Sequence, residues 1–253
     1  MNDAVPQSRM PGGELLDAGL PGGVAVSRLR VYDWPTADGL RGGSPHLHTA
    51  SSEAYVVLGG HGRVQTLSSH GFATTELRPG TIAWFTPGTV HRLINDDGAL
   101  DILTLMSNAG LPEAGDAVLT FPPEILADAR SYARHAALPR SAAEEDLADA
   151  ARRRRDLALD GFARLCARAE TDLEGSLREL HDAAAALVAD RIPGWEAIVE
   201  AGPSVQVSTT LRQLEHLANM SAGIMGESGI RVTSDSGERF GMCGRLTVWS
   251  SES

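Results

Sequence analysis

The chain has 253 residues and an ordinary apolar share of 42%, enough for one large domain or two small ones. Its formal net charge of −11 argues against nucleic acid or an anionic membrane as partner, and no apolar run is long enough to span a bilayer. Cys166 and Cys243, the two cysteines, make no disulfide framework and read as buried small apolar residues of a cytoplasmic protein, since the N-terminus shows no secretory signal.

Residues 1–21 are rich in Gly, Pro and polar groups and are expected to form a loose arm. Short strands separated by turn residues follow. The alternation predicts them at Val24–Val31, Glu53–Leu58, Arg63–Leu67, Ala73–Leu77, Ile82–Phe85, His91–Asn95 and Leu100–Met106. Many short strands at regular spacing predict a sandwich or barrel over 22–120, and an eight-stranded jelly roll fits. At Pro122 the character changes, and 121–202 reads as helical. Pro139 ends its first helix, and Ser141–Glu144 and Thr171–Glu174 resemble capping boxes. Leu173, Leu177, Leu180, Ala184 and Leu187 form one apolar stripe, expected to pack on the barrel or a neighbouring helix, or to form a dimer seam. Over 203–253 strands are expected to return: Val205–Thr209, then Ile230–Thr233 and Phe240–Trp249 as a hairpin around Ser234–Gly237, packed on the barrel. The fold class is therefore a mainly β jelly-roll barrel with a helical segment, α+β as a whole.

The chemistry concentrates in His46, His48, Glu53 and His91. Three imidazoles and a carboxylate form a ligand set for one divalent transition metal; iron, manganese, nickel, copper and zinc all accept it. His46 and His48 are two apart, so on a strand they share a face. Glu53 has the opposite parity, so a bend or bulge must fall within Thr49–Ser52.

These residues carry a resemblance. His46-x-His48, four residues, Glu53, six residues, Gly60 is similar to the first motif of the cupin superfamily. Gly80, Pro87-Gly88, His91 and Asn95 are similar to the second, although Pro87 and Gly88 are adjacent where the family usually has an intervening residue. The opening glycine of the first motif is displaced too, with Leu40 in its place and Gly39 beside it. The resemblance covers roughly 22–108 and implies a metal-binding barrel, with dioxygenases, isomerases, epimerases and lyases among the activities.

Parity places Tyr55, Val57 and Leu93 in the interior beside the metal, with one parity of Arg63 and Gln65's strand and one of Trp84 and Phe85. These seven residues are the candidate substrate pocket. His61 and His70 lie in glycine-rich turns and read as solvent-exposed, and His216 stands alone. Arg152–Arg155 wrap around a helix behind an acidic stretch and read as a solvated, self-paired face. The expected protein is a metal-dependent enzyme on a small organic substrate, of dioxygenase type, and a homodimer. The alternatives are a ligand-sensing barrel without catalysis, an activity like that of a sugar isomerase or epimerase, and a barrel that the metal merely stabilises.

Overall fold

The computed structural model describes residues 19–139 and 141–249; most of the arm expected over 1–21 lies outside them. Two antiparallel sheets face each other as a jelly roll. The strands are β1 (Ala25–Val31), β2 (His46–His48), β3 (Glu53–Gly59), β4 (Gly62–Ser68), β5 (Gly71–Leu77), β6 (Ile82–Phe85), β7 (Val90–Asn95), β8 (Asp101–Met106), β9 (Ala117–Leu119), β10 (Asp235–Phe240) and β11 (Gly244–Trp249). One sheet runs β10-β11-β1-β8-β3-β6 and the other β5-β4-β7-β2-β9. Alternation sets the inward face: Glu53, Tyr55 and Val57 on β3, and Ile102, Thr104 and Met106 on β8, are buried while their neighbours are less so. Between β3 and β4, Gly60 takes φ +73°, where a Cβ would lie 2.2 Å from the Ala99 carbonyl oxygen.

The helices are α1 (Pro123–Leu126), α2 (Ala129–Ala136), α3 (Glu144–Ala169), α4 (Leu173–Val188), α5 (Ile192–Val199) and α6 (Val205–Ala218). α1 to α5 contribute to the cover over the outer face of the five-stranded sheet. Leu47, Leu67, Val90 and Val118 from that face join Phe162 and Leu165 of α3 and Leu177, Leu180 and Ala184 of α4 in one apolar cluster. This explains why every residue of β7 is buried: one face lines the interior and the other lies under helices. The α4 stripe is consumed within the chain. Close approach needs Gly161, where a Cβ would meet the Thr120 carbonyl oxygen at 2.1 Å.

Several sequence expectations need correction. Val205–Thr209 is not a strand but the start of α6. The two-residue alternation there is short, whereas Val207, Leu211 and Leu214 recur at helical spacing among good helix formers. A π-helical stretch, Glu200–Ser204, joins α5 to α6 around Pro203, whose missing N–H disrupts the ordinary ladder. The final hairpin turns at Gly241–Cys243 rather than Ser234–Gly237, and 230–233 is not strand. Glycines at both ends of that turn let the chain reverse inside a run that reads as one strand. Nor do the capping boxes form: Ala143 precedes α3 without a side-chain cap, and Asp172 caps α4 by accepting from Gly175 N–H. The Arg152–Arg155 run is not a solvated face. Arg155 is 1% exposed and donates to the carbonyls of Trp34, Pro35 and Gly42, and Arg154 donates to those of Ala136 and Gly241. Four consecutive residues surround a helix, and half of this turn faces the barrel.

Candidate metal centre

His46 lies on β2 directly across from His91 on β7, so pairing of the two strands removes their 45-residue separation. Glu53 is the first residue of β3, in the opposite sheet, flanked by Met106 and Phe85. The bend over Thr49–Ser52 is where the chain crosses from one sheet to the other, which reverses the parity of Glu53 without a bulge. All four side chains are buried and face one another across the interior.

Their potential ligand atoms lie within 4.8 Å of one another. His91 Nε2 is 3.1 Å from His46 Nε2 and 3.1 Å from Glu53 Oε2, and His48 Nε2 is 3.3 Å from the same oxygen. Ligands about 2.1 Å from one ion stand about 3.0–3.4 Å apart at octahedral to tetrahedral angles. The other ring nitrogens are tethered: His46 Nδ1 to the Ser44 carbonyl at 3.0 Å, His91 Nδ1 to the Thr89 carbonyl at 3.1 Å, and His48 Nδ1 to Asp116 Oδ1 at 2.8 Å. An Nδ1–H donated outward leaves an Nε2 lone pair directed inward. Glu53 Oε2 has no hydrogen-bond partner despite its burial. Three lone pairs and an orphan carboxylate oxygen repel one another unless a cation lies between them. The residues therefore fit a divalent metal.

Protons are the alternative way to relieve the cluster. Burial opposes charge on His48, but its bond to Asp116 and the Glu53 carboxylate 3.3 Å away outweigh burial once the imidazole is protonated and raise it to about 10. Burial, followed by the neighbouring imidazoles, pushes His46 well below its ordinary value. Asp116 is fully buried, accepts the Ser51 N–H at 2.9 Å as well as His48, and fixes that imidazole's orientation.

A cavity of about 150 Å³ opens beside the cluster, touching His46, His48, Glu53 and Tyr55. Leu29 and Met106 form its walls from the barrel, and Met242, Cys243 and Leu246 close it from the C-terminal hairpin. Cys243 Sγ lies 3.7 Å from His46 Nδ1, and burial pushes its thiol up, so it acts as a neutral wall. Burial, aided by Glu53, likewise raises the Tyr55 phenol well above its usual value. A larger groove of about 1030 Å³ runs between β6 and α4 but touches none of the four clustered residues.

Of the seven expected pocket residues, Tyr55 lines the cavity. Phe85 packs on His91 with ring centroids 4.2 Å apart. Val57 and Leu93 are sealed in the core beneath. Arg63 and Gln65 face outward, because Val64 is the residue of β4 that turns in. Arg63 pairs with Asp96 at 2.6 Å, and Gln65 stands by Arg92. Trp84 is 74% exposed and borders the outer groove. Sequence reading missed Asp116, Thr104 and the hairpin wall. Thr104 was accessible from its alternation along β8, and the hairpin wall from the alternation of Met242, Leu246 and Val248; nothing local marks Asp116. Asn95 bridges strands, donating to the Val31 carbonyl and accepting the Leu100 N–H.

The model of the family described as Cupin domain matches residues 37–106, the stretch that holds all four clustered residues. The chain carries a cupin domain. Solved structures similar to it include an uncharacterized conserved protein with a double-stranded beta-helix domain from Klebsiella pneumoniae, 20% identical, covering 33% of this chain and 64% of that one, with a TM-score of 0.26. Pac13 from Streptomyces, a nucleoside dehydratase, is 16% identical over 39% of this chain and 69% of its own, with a TM-score of 0.30. The coconut allergen cocosin is 17% identical over 34% of this chain and 21% of its own, also with a TM-score of 0.30. The chain thus spans under two thirds of the Klebsiella protein and about a fifth of cocosin. No curated protein sequence matches the chain. Among the described residues, no helix is long and apolar enough to cross a membrane.

Proposed function

We propose that the chain is a metal-dependent enzyme of dioxygenase type, with His46, His48, Glu53 and His91 as the ligands of one divalent transition metal. The observation that carries this reading is the position of the cluster, at one end of a small apolar cavity. A metal there supplies Lewis-acid polarisation or oxygen activation. The chain's residues do the rest: Asp116, Ser44 and Thr89 orient the imidazoles, Met106, Met242 and Leu246 exclude water, and Tyr55 stays neutral beside Glu53. An isomerase or epimerase could use the same centre, and metal analysis followed by oxygen-uptake screening separates these readings. Iron with substrate-dependent uptake supports a dioxygenase, whereas zinc without uptake rejects it.

A ligand-sensing module is the second reading, and α6 favours it. That helix exposes Val207, Leu211 and Leu214 at 56–61%, a face suited to passing a signal to a partner. We further propose a cytoplasmic homodimer, supported by the unpaired Cys166 and Cys243 and by the outer face of the six-stranded sheet. There Val26, Leu105, Ala54 and Trp84 form one row across four strands, with Leu103, Val56 and Ile82 in the next. The acidic balance keeps nucleic acid out of the expected partners.

A further inference from the structure

Thr104 places a buried hydroxyl in the cavity wall that the metal does not explain. It stands on β8 between Ser27 and Tyr55, one row deeper than Glu53. It is 4% exposed, its hydroxyl has no hydrogen-bond partner, and it lines the cavity. A buried hydroxyl without a partner is costly, and a ligand that bonds to it recovers that cost. The remaining wall is largely apolar, with Ala25, Leu29, Met106, Met242 and Leu246, and Ser27 and Tyr55 flank Thr104. A volume of about 150 Å³ holds a molecule the size of benzene, with about six non-hydrogen atoms.

Charge narrows the class. A divalent ion among neutral imidazoles is balanced by two buried carboxylates, Glu53 and Asp116. The two exposed charged residues of the lining, Arg239 and Glu113, are of opposite sign. An anionic ligand would leave a buried charge uncompensated, which is unfavourable in an apolar enclosure. We infer that this centre takes a small uncharged oxygenated molecule, an alcohol or carbonyl compound of about six non-hydrogen atoms, with one oxygen toward the four-residue cluster and one hydrogen-bonded to Thr104 Oγ1.

The inference rests on the metal-centre reading above and is tested by binding rather than turnover. Acetoin and lactate have equal non-hydrogen atom counts and differ in charge. Each is titrated into the full chain loaded with Co²⁺, following heat and visible absorption. Acetoin should bind about tenfold tighter than lactate or better. Thr104→Val should weaken acetoin about three- to tenfold, with metal content unchanged. Thr104→Ser should restore it. Lactate binding as tightly as acetoin, no binding of either, or an unaltered affinity in Thr104→Val each overturns the inference. Acetoin binding without oxygen uptake by the iron-loaded protein would remove the dioxygenase reading and leave this one standing. Uptake driven only by anionic compounds would do the reverse.

Discussion

Asp116 touches no substrate, yet it decides how His48 presents its second nitrogen. Asp116→Asn keeps the shape and loses the charge that holds the Nδ1–H. Metal affinity should fall about 10–100-fold, as for other partners that orient ligating imidazoles, and competition with a chelator measures it. His91→Ala should lose the metal outright while the far-ultraviolet spectrum keeps its β signature; full occupancy in that variant would remove His91 from the ligand set. The four clustered residues were legible because their spacing is local and unusual: a His-x-His pair, a nearby carboxylate and a proline-glycine turn before His91. Asp116 was not, because its partner lies 68 residues upstream and β9, which follows it, is too short to carry a periodic signal. Arg155 was misread for the opposite reason. Its neighbours in sequence suggest solvent, and only the packed barrel supplies the three carbonyls it reaches. Arg155→Met should cost about 1–3 kcal/mol, read from urea unfolding.

At the scale of elements, the strands were legible wherever a buried face alternates with an exposed one, as on β3 and β8. Ile82–Phe85 emerges with the boundaries read from its sequence. Alternation failed in the C-terminal region, where it persists through the tight turn at Gly241–Cys243 and imitates a strand at the start of α6. The apolar stripe on α4 leaves a choice between packing inward and forming a seam, and its contacts answer it. Leu177 and Leu180 are 6% and 5% exposed within the cluster shared with α3 and the five-stranded sheet. Leu180→Ala should therefore lower stability by about 2–5 kcal/mol and leave the oligomeric state alone. Parallel denaturation and light-scattering measurements check both halves of that statement.

For the whole molecule, one sheet is roofed by helices and the other shows an apolar outer face. Trp84 and Ile82 there are 74% and 59% exposed, on an edge strand that offers unpaired backbone groups. A homodimer through this face should become monomeric in an Ile82→Glu, Trp84→Glu double variant, with metal content unaltered. Light scattering that finds a monomer in the parent chain at micromolar concentration rejects the assembly. The hairpin β10–β11 has a different consequence. Through β11 it pairs with β1 along Val26–Val31 and supplies Met242 and Cys243 to the cavity. During synthesis, every clustered residue and Asp116 has been made by residue 119, but β1 waits for residues 244–249. At ribosomal speeds of about 5–20 residues per second, that interval is roughly 6–26 s. Throughout it the nascent chain can gather the four clustered residues while one sheet edge and the side of the cavity stay open. On the metal reading proposed above, the newborn protein would meet its ion before it could shut the chamber around it, and its last-made residues decide when the chamber closes.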